Sequence, residues 1–277
     1  MTLRLLTYLA PSVPASLFDA LAGHLSEALG VDVELSFDRT RSGPRPGEDE
    51  PFTDGDADIA FVCATSYVWL TATPSPVVEL VGAAWAPTDP RSAGQAVYFG
   101  DVLAPAGGAK TLHHLVDRRV AYNDDVSLSG YHSLRLALSA AGLDVDRVTF
   151  VRSGSHLRSL DLLAAGDVDA AAIDSNVWRR RRREDPHLAR VLHAVAELGP
   201  HPVQPLVARA GLSVGRREAI RDALLRAHDV EVVAAELAAA ELTGFVTVQD
   251  GHYAGLRTTL RELEVRTLER SHARGDG

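Results

Sequence analysis

Cysteine is almost absent from this chain: Cys63 stands alone among 277 residues. A single thiol excludes an internal disulfide and a thiolate zinc cluster. Cys63 closes the apolar run Ile59-Ala60-Phe61-Val62-Cys63 and reads as a packing residue rather than a reactive group. Long apolar stretches are missing too. None reaches the roughly 18 residues needed to cross a bilayer, so no membrane span is expected. A positive charge balance is also lacking. The formal net charge is −9, which argues against a protein that grips nucleic acid through a basic face. The one basic run, Arg179 to Arg183, is followed at once by Glu184 and Asp185. It reads as the solvated end of a helix, where cations suit the macrodipole. The HExxH, P-loop and GxSxG patterns do not occur. His113 and His114 are adjacent and cannot face one ligand from one helix. No metal or other cofactor is therefore expected. The first residues show no long apolar segment with a cleavage site. As written the chain reads as cytoplasmic, and as periplasmic or cell-surface if an export signal has been removed.

What is present is an ordinary globular composition, 46% hydrophobic and 23% charged. The length allows one large domain or two modest ones, and no internal repeat is visible. Apolar periodicity predicts strands near residues 3–9, 31–37, 58–62, 77–84, 95–103, 119–123, 147–151, 168–173, 191–198 and 205–210. It predicts helices near 14–29, 64–72, 129–141, 156–165, 175–182, 216–227, 230–242 and 253–268. Residues 39–55, rich in proline, glycine and charge, read as a mobile loop with little to bury. Alternating strands and helices indicate an α/β fold with mostly parallel sheets. The stretches 95–104 and 198–206 look like two crossings between lobes. One lobe then comprises 1–96 with 204–277, and 97–203 form an inserted second lobe that can close on a ligand about a hinge.

Four segments carry polar residues just after a strand, where ligands gather in open α/β sheets. In Asn123-Asp124-Asp125-Val126-Ser127-Leu128-Ser129-Gly130, Ser127 and Ser129 fall at a helix start. Free backbone N–H groups and hydroxyls there suit an anion, and they equally suit a simple N-cap. In Ser153-Gly154-Ser155-His156, His156 opens the next helix, as an oxyanion donor or a structural residue. Asp174, after Asp169-Ala170-Ala171-Ala172-Ile173, either caps a helix or accepts a proton-bearing group of a ligand. In Asp58-Ile59-Ala60-Phe61-Val62-Cys63-Ala64-Thr65-Ser66-Tyr67, Tyr67 is an aromatic whose hydroxyl can face a cleft.

Taken in order, these segments resemble the substrate-binding components of phosphate, phosphite and phosphonate ABC transporters. The matching residues are Asp58-Ile59-Ala60 with Tyr67, Ser127-Leu128-Ser129-Gly130, Gly154-Ser155-His156, and Gly166 through Asp174, across about residues 1–270. The resemblance implies the two-lobed type II periplasmic-binding-protein-like fold. It implies anion contacts from Tyr67, Ser127, Leu128, Ser129, the Gly130 backbone and His156, with Asp174 nearby. It implies a permease as partner for a monomeric binding protein. Leu128 stands where the family carries a threonine. The region 39–55 lacks the family's helix with a ligand-facing tyrosine, and Arg39 or Arg41 is either a compensating cation or simply solvated. The leading expectation is a chain that binds a small phosphate-, phosphite- or phosphonate-like oxyanion between two lobes without transforming it. The alternatives are a cytoplasmic enzyme on the same fold, with His156 or Asp174 as acid or base, and a ligand sensor read by a partner protein.

Overall fold

The computed structural model describes residues 2–10 and 12–263. The chain opens with β1 (Thr2–Thr7), whose alternate residues Leu3 and Leu5 are buried. Helix α1 (Ala15–Leu29) buries Leu17, Phe18, Leu21 and Leu25, one stripe at helical spacing. Gly30 ends it in the left-handed conformation, at φ 63°, which glycine adopts without steric penalty. Then follow β2 (Asp32–Phe37), β3 (Ile59–Phe61), α2 (Ala64–Thr71), β4 (Val78–Leu80) and β5 (Ala83–Pro87). The middle of the chain supplies β6 (Val97–Pro105), β7 (Arg119–Tyr122), a short π-helical turn Leu128–His132 running into α3 (Ser133–Ala140), and β8 (Thr149–Arg152). It continues with α4 (His156–Ala165), β9 (Ala170–Asp174), α5 (Ser175–Glu184), α6 (Leu188–Val191) and β10 (Leu192–Pro202). The last part gives β11 (Leu206–Arg209), α7 (Val214–Leu225), α8 (Glu231–Ala239) and β12 (Leu242–Thr247), and residues 254–263 are helical.

These strands make two five-stranded sheets and a two-stranded ribbon among the described residues. The first sheet runs β2-β1-β3-β11-β4, the second β10-β6-β9-β7-β8, and β12 pairs with β5. The result is the two-lobed α/β architecture expected. Every strand of the second sheet comes from residues 97–202, and β11 returns the chain to the first sheet. The chain crosses between the sheets along two neighbouring segments, since Val97 pairs with Pro202 in register and Val203 N–H donates to the Ala96 carbonyl at 3.1 Å.

The second sheet buries both faces. On one side Val102, Val120 and Ala170 pack with Leu134 and Leu138 of α3. On the other, Leu103, Ala121 and Ala171 meet Leu160 and Leu163 of α4 and Val177 and Trp178 of α5. Alternation at period two thus sends neighbouring residues to opposite helix layers. In the first lobe Phe61 stacks on Trp85, with centroids 5.0 Å apart and planes at 9°, a geometry worth about 0.5–1.5 kcal/mol beyond area burial.

Several expectations need correction. The sheets are mixed rather than mostly parallel. β1 pairs β2 and β3 in parallel, and β7 pairs β8 and β9 in parallel. β11 and β6 run antiparallel to their neighbours, because each is a strand on which the chain crosses from one sheet to the other. The single strand expected at 77–84 is two strands in different sheets, broken at Gly82 with φ 92°. The helix expected to reach 242 stops at Ala239, and β12 follows as a strand the sequence reading did not find. Residues 39–55 are not empty of anchors, because Phe52 is buried in the first-lobe core. Of the helix expected at 253–268, residues 264–268 lie outside the described residues, as does Pro11.

Candidate functional site

Three strands of the second sheet, β7, β8 and β9, run in parallel and end at the same edge. The residues after them open the π-turn with α3, then α4 and α5, so three helix starts meet there. Ser127 caps the first, its Oγ accepting from Gly130 N–H at 3.1 Å. Ser155 caps α4, accepting from Arg158 N–H. Asp174 caps α5, its Oδ1 accepting from Asn176 N–H at 2.8 Å. Each cap consumes a side-chain acceptor and leaves neighbouring donors at a positive helix end. The wide first turn, with Ser127 carbonyl accepting from His132 N–H at 3.1 Å, is the π-type geometry that recurs at binding sites.

A cavity of about 40 Å³ lies there, lined by Ser127, Ser129, His156 and Asp174 of the second lobe and by Tyr8, Ser12, Ser42 and Trp85 of the first. Tyr98, Asn123, Asn176 and Gln204 also face it. Water needs about 10–15 Å³ on this scale, so the space fits a group of a few heavy atoms. No arginine or lysine lines it among the described residues. Its donors are neutral. Burial holds His156 down to about 4 against the opposing pull of the Ala172 carbonyl, so the ring is uncharged at neutral pH. Its Nδ1 faces the Asp174 N–H at 3.4 Å. Burial pushes Tyr8 up to about 12, with the Arg41 guanidinium opposing, and it raises Tyr98 as well. Both phenols stay protonated.

Among the described residues Asp174 is the one carboxylic acid of the lining. Burial pushes it up to about 6, against the lowering effect of the Asn176 N–H and the Gln204 amide. Gln204 Nε2 donates to Asp174 Oδ2 at 3.3 Å and Trp85 Nε1 donates to Gln204 Oε1 at 3.3 Å. The carboxyl is thereby tied across to the first lobe. Asn123 Oδ1 and Asn176 Oδ1 are buried and have no hydrogen-bond partner among the described residues. The site therefore offers donors for an oxyanion and also acceptors for a proton that the ligand brings.

Of the seven residues singled out from the sequence, Ser127, Ser129, His156 and Asp174 come together in this cavity. The other three do not line it. Tyr67 turns away: its hydroxyl donates to Asp250 Oδ1 at 2.5 Å, its ring meets Tyr253 edge-on with centroids 4.9 Å apart, and it borders a separate surface groove with Arg257. Leu128 points into the first-lobe core, 1% exposed. Gly130 spends its N–H on Ser127 and serves by its lack of a side chain, since a Cβ would fall 2.0 Å from Asn123 Oδ1 and 3.0 Å from His156 Cε1. Arg39 lies over the Phe37 ring and Arg41 over Tyr8, with Arg41 paired to Asp38 and Glu48. Neither lines the cavity. Tyr8 and Ser12 follow β1, and the rule that ligands gather beyond strand ends could have found them. Ser42, Tyr98 and Gln204 sit in a loop and at the lobe crossings, where no local pattern marks them.

Comparison with known proteins bears on the family and the fold. The profile of a family described as the periplasmic substrate-binding protein of phosphonate ABC transporters matches residues 5–253. Among solved structures, the binding-protein component of a phosphonate transporter from Pseudomonas aeruginosa superposes with TM-score 0.77 at 18% identity, covering 93% of this chain and 85% of that one. PhnD1 of Prochlorococcus marinus, solved with methylphosphonate, gives TM-score 0.78 at 17% identity over 95% of this chain and 98% of that one. The aliphatic sulphonate binding protein SsuA of Escherichia coli gives 0.59 at 17% identity, over 96% and 93%. No curated relative matches the chain by sequence. The family's periplasmic setting agrees with the exported alternative and lends no support to the cytoplasmic reading, and its members are binding proteins rather than enzymes. With the match spanning most of its length, this chain belongs to the family of periplasmic substrate-binding proteins of phosphonate ABC transporters.

Proposed function

We propose that this chain captures a small phosphorus oxyanion that still carries a proton, such as a phosphonate or phosphite monoanion, and delivers it unchanged to a membrane permease. The observation that carries the reading is the convergence of Ser127, Ser129 and His156, from two helix starts, on a cavity that also holds Asp174 and, among the described residues, no cation. Neutral hydroxyls, N–H groups and helix ends bind the anionic oxygens. The Asp174 carboxylate, or an unpartnered Asn oxygen, accepts the ligand's remaining proton. A fully deprotonated anion would face that carboxylate with no proton between them, and like charges at hydrogen-bond range repel. The lobes 1–96 with 204–277 and 97–203 close over the ligand by bending at 95–104 and 198–206, and the binding protein acts as a monomer.

The test is a melting-temperature panel of methylphosphonate, phosphite, inorganic phosphate and sulfate, followed by calorimetric titration. A ligand at about 100 times its Kd stabilises the fold by roughly 2.7 kcal/mol. Ser129→Ala removes one charge-assisted donor, worth about 1.5–3 kcal/mol, so binding weakens ten- to a hundred-fold while the unliganded melting temperature holds. If no phosphorus oxyanion shifts the transition, or if Ser129→Ala binds as the wild type does, the reading is wrong.

A further inference from the structure

The loop after β2 reaches the cavity from the first lobe and touches the second. It is fixed at its base. Cys63 N–H donates to the Ser42 carbonyl at 2.8 Å, and Ser66 Oγ donates to the Pro44 carbonyl at 2.8 Å. Gly43, at φ 151°, lets the chain pass over Ser66, because a Cβ there would lie 2.3 Å from Ser66 Oγ. Phe52 anchors the far side in the core. From this base the Ser42 hydroxyl donates across the cleft to Asp124 Oδ2. Asp124 belongs to the second lobe, is 2% exposed, and also accepts from Val126 N–H at 2.8 Å and from Asn123 Nδ2 at 2.9 Å. Asn123 Nδ2 donates to Ser42 Oγ as well, at 3.4 Å. Beside this cluster Arg45 pairs with Asp125 at 2.6 Å. Ser42 and Asn123 both line the cavity.

We propose that Ser42 is a positioning residue that latches the closed site: its hydroxyl joins the lobes through Asp124 and fixes the Asn123 amide toward the ligand. The loop after β2 then contributes Ser42 to the wall of the binding site, and this rests on the cavity being the oxyanion site argued above. The bond spans two lobes, so it exists only while they are together. A buried carboxylate that loses one of three donors is left under-satisfied, which makes the bond worth more than a surface contact. Losing it therefore opens the loaded protein faster and leaves capture, which starts from the open form, nearly unchanged.

The experiment uses the full chain with methylphosphonate and phosphite as probes, and reads stopped-flow tryptophan fluorescence, since Trp85 lines the cavity. Wild type, Ser42→Ala and Ser129→Ala are compared. The expected result is a dissociation rate about tenfold faster for Ser42→Ala, an association rate within about twofold, and an unliganded melting temperature like that of the wild type. A wild-type dissociation rate in Ser42→Ala, with binding still lost in Ser129→Ala, overturns the latch and leaves the site intact. A slower association with unchanged dissociation overturns it too. If Ser129→Ala binds normally, or if the wild type binds neither probe, the site reading falls and the latch falls with it.

Discussion

Asp174 gives the sharpest quantitative prediction, because the same burial that makes it useful makes it unfavourable for folding. Its pKa is pushed from the ordinary 3.8 up to about 6. The folded state therefore holds a proton that the unfolded chain releases. Stability from this group is fully present below about 3.8 and is lost as pH rises through about 6. Two pH units at 1.36 kcal/mol each give a loss of about 3 kcal/mol by pH 7. Asp174→Asn removes the titration and keeps a cap of similar quality for α5, since Asn and Asp rank together at that position. It gives up the Gln204 bond, worth about 1 kcal/mol. The variant should match or fall slightly below the wild type near pH 4 and exceed it by about 2 kcal/mol at pH 7–8. Reversible urea unfolding of both proteins from pH 4 to 8 isolates the effect, because other titrating groups cancel in the difference. A difference that does not change with pH, or a variant less stable at pH 8, refutes the reasoning. Binding of protonated oxyanions should fall in the same variant, a trade of function for stability.

Gly130→Ala would drive a methyl group to 2.0 Å from Asn123 Oδ1; thermal unfolding should show a loss of about 1–3 kcal/mol, the range for overpacking, and calorimetry should show loss of ligand binding. Tyr67→Phe removes the bond to Asp250 outside the cavity, so the Kd for methylphosphonate should stay within about twofold while stability falls by about 0.5–1.5 kcal/mol. An affinity loss of tenfold or more in that variant would return Tyr67 to the site.

Much of the layout was legible because period and punctuation agree along the chain. The helix at 15–29 shows its apolar stripe and its closing Gly30, and the helix at 156–165 was readable from His156 at its start to Gly166 at its end. The polar turns after strands marked Ser127, Ser129, His156 and Asp174, because a parallel sheet brings such ends to one edge. The strand 242–247 stayed hidden for a local reason. Alanine and glutamate carry a helical pattern up to Leu242, and the break comes from Glu241 at φ 61°, a conformation that non-glycine residues seldom take. Glu241 is held there by Thr88 and Arg183, partners far away in sequence. Tyr67 was misjudged for the same kind of reason. Its distance from a strand end matched, and its direction was set by Asp250 and Arg257, which no local spacing reveals. Ser42 was unreadable because a loop gains its role only when the opposite lobe arrives.

A lining with no cation among the described residues has a kinetic consequence. The chain carries a formal net charge of −9, so an approaching anion meets long-range repulsion, and no arginine or lysine among the described residues lines the cavity to draw it inward. Attraction begins only within reach of the helix ends, which act over about one turn. At physiological ionic strength the Debye length is about 8 Å, which hides most of the distant negative charge and little of the local dipoles. Added salt thus eases encounter instead of slowing it, opposite to a binder steered by arginines. A singly charged ligand feels less of that barrier than a doubly charged one of the same shape, so the field around the protein begins selecting for the protonated form before any hydrogen bond is made.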